Sequence, residues 1–382
     1  MTSPQAITIS PTVEHKVNAI QWKQLWSLAA LYSSIIIGWI AYYNYQPQLL
    51  AKYKFLGFSF FLVLAQAIIL VITPPIAGKL GDRFRFKNGH RLPIITAGIS
   101  FAAMIFMAVS FTLIADPGDV FRWIFPFLIV FWLVGMSIFT SPALSTLELF
   151  APVDKIPQVM AILTIVSNLI YAMEPVIVDI IEFLGAPATF VAGGLIVFFS
   201  GYALRKNSKD LFNKESEGVP STQGIENKTE VYSYGKLLVL GIMLGIVTTV
   251  LFDLLPEILR ANLIGLIPGT PEAKWLLVIM LIISAAFSLP MSDYVNKFGL
   301  EKSFWRSAVL SLTCLIPIFL IGSPIIVIIF SFLFVIGFTM VSVSSLPLAI
   351  RHSSFTEKVF CVGIFFSGVA IPDGVLQLIT NL

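Results

Sequence analysis

Residues 78 to 91 read Gly78-Lys79-Leu80-Gly81-Asp82-Arg83-Phe84-Arg85-Phe86-Lys87-Asn88-Gly89-His90-Arg91. Five cations and one acid are packed into a short stretch with long apolar runs on both sides. A run of about 20 mostly apolar residues is enough to cross a bilayer as a helix. The stretch therefore reads as the polar turn between two membrane spans. Working outward in both directions gives eleven such runs, near 22–50, 56–77, 92–114, 121–150, 157–183, 188–204, 234–258, 274–290, 303–321, 324–350 and 359–382. The composition agrees. Of 382 residues, 57% are hydrophobic and 12% charged, with a mean hydropathy of +0.91; soluble domains carry roughly 25% charge. A net charge of +3 is too small to attract nucleic acid. The class is an all-α polytopic membrane protein.

The cations sort the loops. With the N-terminus in the cytoplasm, all of the 24 Lys and Arg except Lys52, Lys54, Arg122, Arg260 and Lys274 fall on the cytoplasmic side, as the positive-inside rule requires. One missed or extra span would scramble that alternation. Residues 1–21 form a cytoplasmic tail with no cleavable-signal pattern, 22–204 a six-helix unit, 205–234 a polar cytoplasmic linker and 235–382 a five-helix unit. The sequon Asn227-Lys228-Thr229 lies in the linker, on the side where it is not used. The two units run in parallel register: Asp293 follows Asp82 by 211 positions, in the corresponding turn. This is the signature of an internal duplication. The second copy is about one helix short, so a twelfth span is missing and the C-terminus is expected outside.

The segment 78–91 resembles the loop signature of the major facilitator superfamily. More narrowly, Asp82-Arg83 followed by Gly89-His90-Arg91-Leu92-Pro93, with Pro74 and Pro75 before it, resembles the glycoside–cation and sucrose–proton symporter branch. The resemblance implies a duplicated helical bundle in which the first helix of each three-helix unit lines a central cavity. The branch also carries an Arg and an Asp near the cytoplasmic end of helix four. Here that stretch is Ser141-Pro142-Ala143-Leu144-Ser145-Thr146-Leu147-Glu148, so the Arg is absent and Glu148 only loosely replaces the Asp.

Three sets of residues follow. The first is a cytoplasmic gate of Gly78, Asp82, Arg83, Arg91, Glu148 and Asp293. Gly78 and Gly81 allow two helix ends to approach, Asp82 suits the positive end of a neighbouring helix, and Arg83 and Arg91 suit carboxylates such as Glu148. The second is a coupling set. Glu174 and Asp373 each adjoin a proline in matching helices of the two units, and Asp253 lies four residues before Glu257. An ionisable group at the bilayer centre costs roughly 2.5–3.5 kcal/mol on insertion scales and so marks a cavity or a proton path, unless it is a solvated helix end. The third is a solute wall. Trp39-Ile40-Ala41-Tyr42-Tyr43-Asn44-Tyr45-Gln46-Pro47-Gln48 offers rings and amides, from which Tyr42, Asn44 and Gln46 are selected; Gln66 and Asn168 join them from other helices.

The sequence is therefore read as a secondary active transporter of a small organic solute in the inner or plasma membrane. It works by alternating access and is coupled to H+ (or Na+), with a sugar-like solute favoured. Two other readings stand beside it: a non-transporting scaffold or receptor on a transporter fold, and an uncoupled facilitator or exporter of an apolar compound. An enzyme is not expected, because no nucleophile–base pair and no metal-ligand spacing occurs. No cofactor, metal or nucleic-acid partner is expected either. Cys314 and Cys361 both sit in apolar runs and read as core residues.

Overall fold

A computed structural model of the chain describes residues 19–115, 118, 123–217, 233–264, 270–321, 323–354 and 356–380. The cations Lys16, Arg122 and Lys228, and the sequon at 227–229, lie outside the described residues. All regular structure among the described residues is helical, and eleven spans are long and apolar enough to cross a membrane.

The first unit comprises α1 (Trp22–Lys52), α2 (Ser59–Asn88), α3 (Leu92–Ala115), α4 (Ile124–Leu144, with a further turn Leu147–Phe150), α5 (Ile156–Ala172), α6 (Glu174–Leu184) and α7 (Ala186–Glu217). The second comprises α8 (Tyr234–Thr249), a π-helical turn (Val250–Leu254), α9 (Leu255–Leu263), α10 (Ala273–Phe298), α11 (Leu300–Leu320), α12 (Pro324–Arg351) and α13 (Lys358–Thr380).

Packing repeats between the units. Helix α3 lies against α4 as α11 lies against α12, and α2 against α4 as α10 against α12. Two seams join the halves: α2 runs along α13, and α5 runs along α10. Both cysteines are buried and free.

The helices run further than the apolar runs alone suggest. With 30 residues, α2 is about 45 Å long at 1.5 Å per residue, well beyond a hydrocarbon core of about 30 Å. Its last turns, including the segment expected as a loop, project from the bilayer as helix. They end at Gly89, whose φ of 81° is the left-handed C-cap that glycine adopts without strain. The sixth span likewise continues past 204, where a flexible linker is expected, and stays helical to Glu217. Tertiary contacts hold this extension. Gln24 Nε2 donates to the Asn207 carbonyl at 3.0 Å, Asn207 Nδ2 donates to Ser27 Oγ at 2.6 Å, and Phe212 is buried.

Two spans are broken where proline removes a backbone donor. Pro175 follows the break at Met173 that separates α5 from α6, and Glu174 opens the new helix. Pro256 cannot donate to the residue-252 carbonyl. The chain shifts into the wider π register over Val250–Leu254, which carries Asp253. In α13, Pro372 leaves the helix continuous.

Glycine permits the α2/α13 seam. A Cβ on Gly78 would stand 2.5 Å from the Val359 carbonyl oxygen and 2.6 Å from Phe360 Cα. Gly363 meets the Pro74 carbonyl in the same way from the α13 side. Both contacts are to backbone, so no rotamer change relieves them. Overpacking of this kind costs about 1–3 kcal/mol. Gly78→Ala is expected to lower the Tm of the detergent-purified protein by an amount of that order; an unchanged Tm would contradict the close approach.

Candidate transport pathway and gate

The gate begins with helix chemistry. The first four N–H groups of a helix have no internal partner and carry the positive end of its dipole. Asp82, 5% exposed on α2, brings its carboxylate to the start of α13. It accepts the Val359 N–H at 3.0 Å and the Phe360 N–H at 2.8 Å. Gly78 and Gly81, one turn and one residue earlier, let α13 come close enough. Beside it, Arg91 is 0% exposed. Its guanidinium donates to the Ser145 carbonyl at 3.2 Å, to Ser145 Oγ at 2.8 Å and to Glu148 at 2.8 Å. The second carboxylate oxygen of Glu148 pairs with Lys358 of α13. Arg91 and Glu148 belong to the first unit and Lys358 to the second, so the ion cluster bridges the halves at the cation-rich end.

Two residues assigned to the gate lie outside this cluster. Arg83 is exposed, and it is Arg91 and Lys358 that hold Glu148. Asp293 is exposed on α10 and finds no bonded partner among the described residues. The corresponding approach of α10 to α5 lacks the glycine that Asp82 has in Gly78, since Leu289 stands there. The second seam is closed by neutral groups instead. Asn168 Nδ2 on α5 donates to Ser284 Oγ on α10 at 2.8 Å, and Ser284 Oγ lies 2.7 Å from Thr339 Oγ1 on α12. All three are buried.

Further along the seam two acids lie close together. Asp373 on α13 interacts electrostatically with Asp253 of the π turn and with Tyr43 of α1. Tyr171, at the end of α5, lies within electrostatic reach of Glu174, Asp373, Tyr43 and Tyr32. Its ring also packs edge-on against Phe252 at 5.0 Å, joining the two units. Tyr43 is 45% exposed and Asp253 is exposed, whereas Ser284, Ser288 and Thr339 are fully buried. Exposure along the seam thus rises from Ser284, Ser288 and Thr339 towards Tyr43 and Asp253.

The solute-wall residues separate. Tyr42 is buried, stacks on Trp132 with centroids 4.7 Å apart, and donates its hydroxyl to Gln66 Oε1 at 2.8 Å. Gln66 Nε2 donates across the seam to Gln377 Oε1 at 3.1 Å. Asn168 serves the second seam as described. Asn44 is half-buried, and its Nδ2 has no partner among the described residues. Gln46 turns the other way, into an apolar crevice inside the first unit with Phe125, Trp132 and Phe190. A cavity of about 520 Å³ between Tyr45, Gln48, Leu113 and Glu182 opens at the outer end of the first unit, away from the seam.

Sequence reasoning passed over Tyr43, Tyr171, Gln377, Lys358, Ser284 and Thr339. Gln377 was readable, because it stands one helical turn after Asp373. Lys358 looked like one more loop cation; only the fold turns it towards Glu148.

Residues 28–373 match the sequence model of the Major Facilitator Superfamily, and the chain belongs to that family. It is an integral, multi-pass membrane protein of a family of transporters, which are not enzymes in general. No curated protein matches the sequence. Among solved structures, the chain is similar to the human organic anion transporter MFSD10 (TETRAN), with TM-score 0.68, 12% identity, and 94% of this chain and 93% of that one covered. It is also similar to a bacterial homologue of the iron transporter ferroportin in an outward-facing state, with TM-score 0.67, 17% identity and coverage of 94% and 91%. The proton:xylose symporter XylE bound to 6-bromo-6-deoxy-D-glucose gives TM-score 0.60, 13% identity and coverage of 94% and 88%. At these identities the likeness is one of fold.

Removing one partner of a buried ion pair costs about 3–5 kcal/mol, because the other charge is left uncompensated. Glu148→Gln strands both Arg91 and Lys358. It is expected to lower the Tm and to make a cysteine at Ser288 reactive to a bulky thiol reagent. A Ser288→Cys protein equally protected with and without Glu148→Gln would show that the cluster does not hold this end closed.

Proposed function

We propose that the protein is a secondary active transporter that moves a small organic solute by alternating access, coupled to protons. The observation that carries this reading is the electrostatic contact between Asp253 and Asp373 of the second unit, beside Tyr171 of the first unit, which lies within reach of both Asp373 and Glu174. No compensating cation is available there: residues 24–51, 55–78, 156–204, 237–259, 275–296 and 359–380 contain no Lys, Arg or His. Carboxylates held in such a place are stable when they take up a proton or a bound cation, and each such event changes the balance between the two accessible states. A ligand shifts that balance only by binding the two states unequally. With the cation-rich end assigned to the cytoplasm by the positive-inside rule, the conformation is the outward-open one.

The same cluster defines what the solute offers. The wall supplies carboxylates, amides and aromatic rings, and no fixed positive charge. Anions are repelled; a neutral, hydroxyl-rich solute of the sugar kind, or a cationic one, is accepted. Asn44 Nδ2 adds a donor that the protein itself leaves unused. The solute-wall assignment of Tyr42, Asn44, Gln66 and Asn168 and the coupling assignment of Glu174, Asp253 and Asp373 belong to this proposal.

A ligand at 100-fold excess over its Kd stabilises the state it binds by about 2.7 kcal/mol. Thermal unfolding against sugars, glycosides and organic cations at two pH values is expected to give a pH-dependent shift with one class, lost in Glu174→Gln and in Asp373→Asn. A shift independent of pH and of both acids would replace coupled transport with a facilitator. Absence of any shift across neutral and cationic solutes would favour the non-transporting reading.

A further inference from the structure

We propose that Gln66 and Gln377 form an amide relay that carries the protonation state of Asp373 across the seam to Tyr42. The proposal rests on the coupling role assigned to Asp373 above and adds a route by which the other half senses it.

The geometry has a direction. Tyr42 Oη donates to Gln66 Oε1 at 2.8 Å. Gln66 Nε2 donates to Gln377 Oε1 at 3.1 Å and to Tyr43 Oη at 3.4 Å. Gln377 Nε2 reaches both oxygens of Asp373 at 3.0 Å. Each amide accepts on its oxygen and donates from its nitrogen, so every donor along the chain points towards the carboxylate. Gln66 lies on α2 and Gln377 on α13, and the bond between them crosses from one half of the molecule to the other.

This arrangement fits an ionised Asp373, which only accepts. When a proton from the cleft water adds to one of its oxygens, that oxygen becomes a donor and faces the N–H groups of Gln377. The mismatch is removed if the Gln377 amide turns over. Its Oε1 then accepts from the Asp373 carboxyl and its Nε2 donates back to Gln66. Gln66 turns over in response, and its Nε2 donates to Tyr42 Oη. No bond within either side chain is broken, and the only proton gained is the one on Asp373. Tyr42, whose hydrogen was committed to Gln66, is left with a free donor for solute or water. Polar groups in a low-dielectric seam are costly when unpaired, which makes the reversal cooperative rather than partial.

The surroundings suit a single controlling group. The ionisable side chains about Asp373 are Tyr43 on α1, Tyr171 on α5 and Asp253 on the π turn, and Glu174 on α6 lies within reach of Tyr171. Helices α2, α4, α8 and α12, which also pack on α13, bring no ionisable residue to the seam along 59–78, 124–144, 237–249 or 324–350. The two glutamines are positioning residues: they carry no charge and serve to connect one that does.

The test uses the full chain in liposomes, with spin labels on cysteines replacing the exposed Phe183 and Ala261 at the outer ends of the two halves and the two native cysteines replaced. The distance distribution between the labels is followed against pH, and the protonated-carboxyl infrared band is followed in parallel. The background protein is expected to show a pH-dependent shift in distance, and Asp373→Asn to lose it. Gln66→Met and Gln377→Met keep side-chain length without the amide. Each is expected to lose the distance shift while the carboxyl band still titrates, and either one alone decides if the other does not fold. Methionine variants that keep the full shift would overturn the relay and leave Asp373 as the coupling group. An Asp373→Asn protein that keeps the shift would overturn the coupling reading itself, and the relay with it.

Discussion

The contact between the Asp82 carboxylate and the first turn of α13 sets the terms for the rest of the molecule. A helix start buried at a seam needs acceptors for its free N–H groups, and a buried carboxylate needs donors. Each supplies what the other lacks, across the boundary between the two units. Water can satisfy both partners, so separating the ends would leave neither without a hydrogen bond. The contact therefore suits a joint that must close firmly and still open. Glu148, held between Arg91 of its own unit and Lys358 of the other, works on the same principle with full charges.

The two seams are closed in different ways. Along α2 and α13 the closure at the cation-rich end is ionic, made by Asp82 and by Glu148 with Lys358. Along α5 and α10 it consists of Asn168, Ser284 and Thr339, neutral groups deeper in the bundle, where an unpaired charge would be far more costly. The duplication places Asp293 where a second ionic closure would stand, but Leu289 in place of glycine keeps the backbones from the approach that Asp82 requires. The copy has thus kept the position of the motif without its geometry.

Much of the fold was legible in the sequence, because a membrane span leaves a signal about 20 residues long and the cations fix the alternation of loops. Residues 78–91 also carried the family. Boundaries read less well: α2 and α7 continue as helix beyond their apolar runs because tertiary contacts, such as Asn207 on Ser27 and Phe212 in its pocket, hold turns that composition alone assigns to a linker. At the site, Glu174, Asp253 and Asp373 stood out as charges where charge is expensive. Their partners did not. Gln377, Tyr43 and Tyr171 are ordinary polar or aromatic residues in sequence, and only helix rotation decides which face the seam. Gln46 shows the converse, an amide chosen by neighbourhood in sequence that the rotation of α1 turns into the first unit.

The central claim is that this is a two-state molecule whose ends open in opposition, with the cation-rich end held shut by Asp82 and Glu148. The most direct test measures two distances in one membrane-reconstituted protein, one across the α2/α13 ends beside Asp82 and one across the outer ends of α6 and α9. With the wild-type gate, the first distance should be short and the second long; in Asp82→Asn, the populations should shift so that the first lengthens as the second shortens. Two distances that stay fixed, or that lengthen together, would contradict alternating access and leave a bundle that merely loosens.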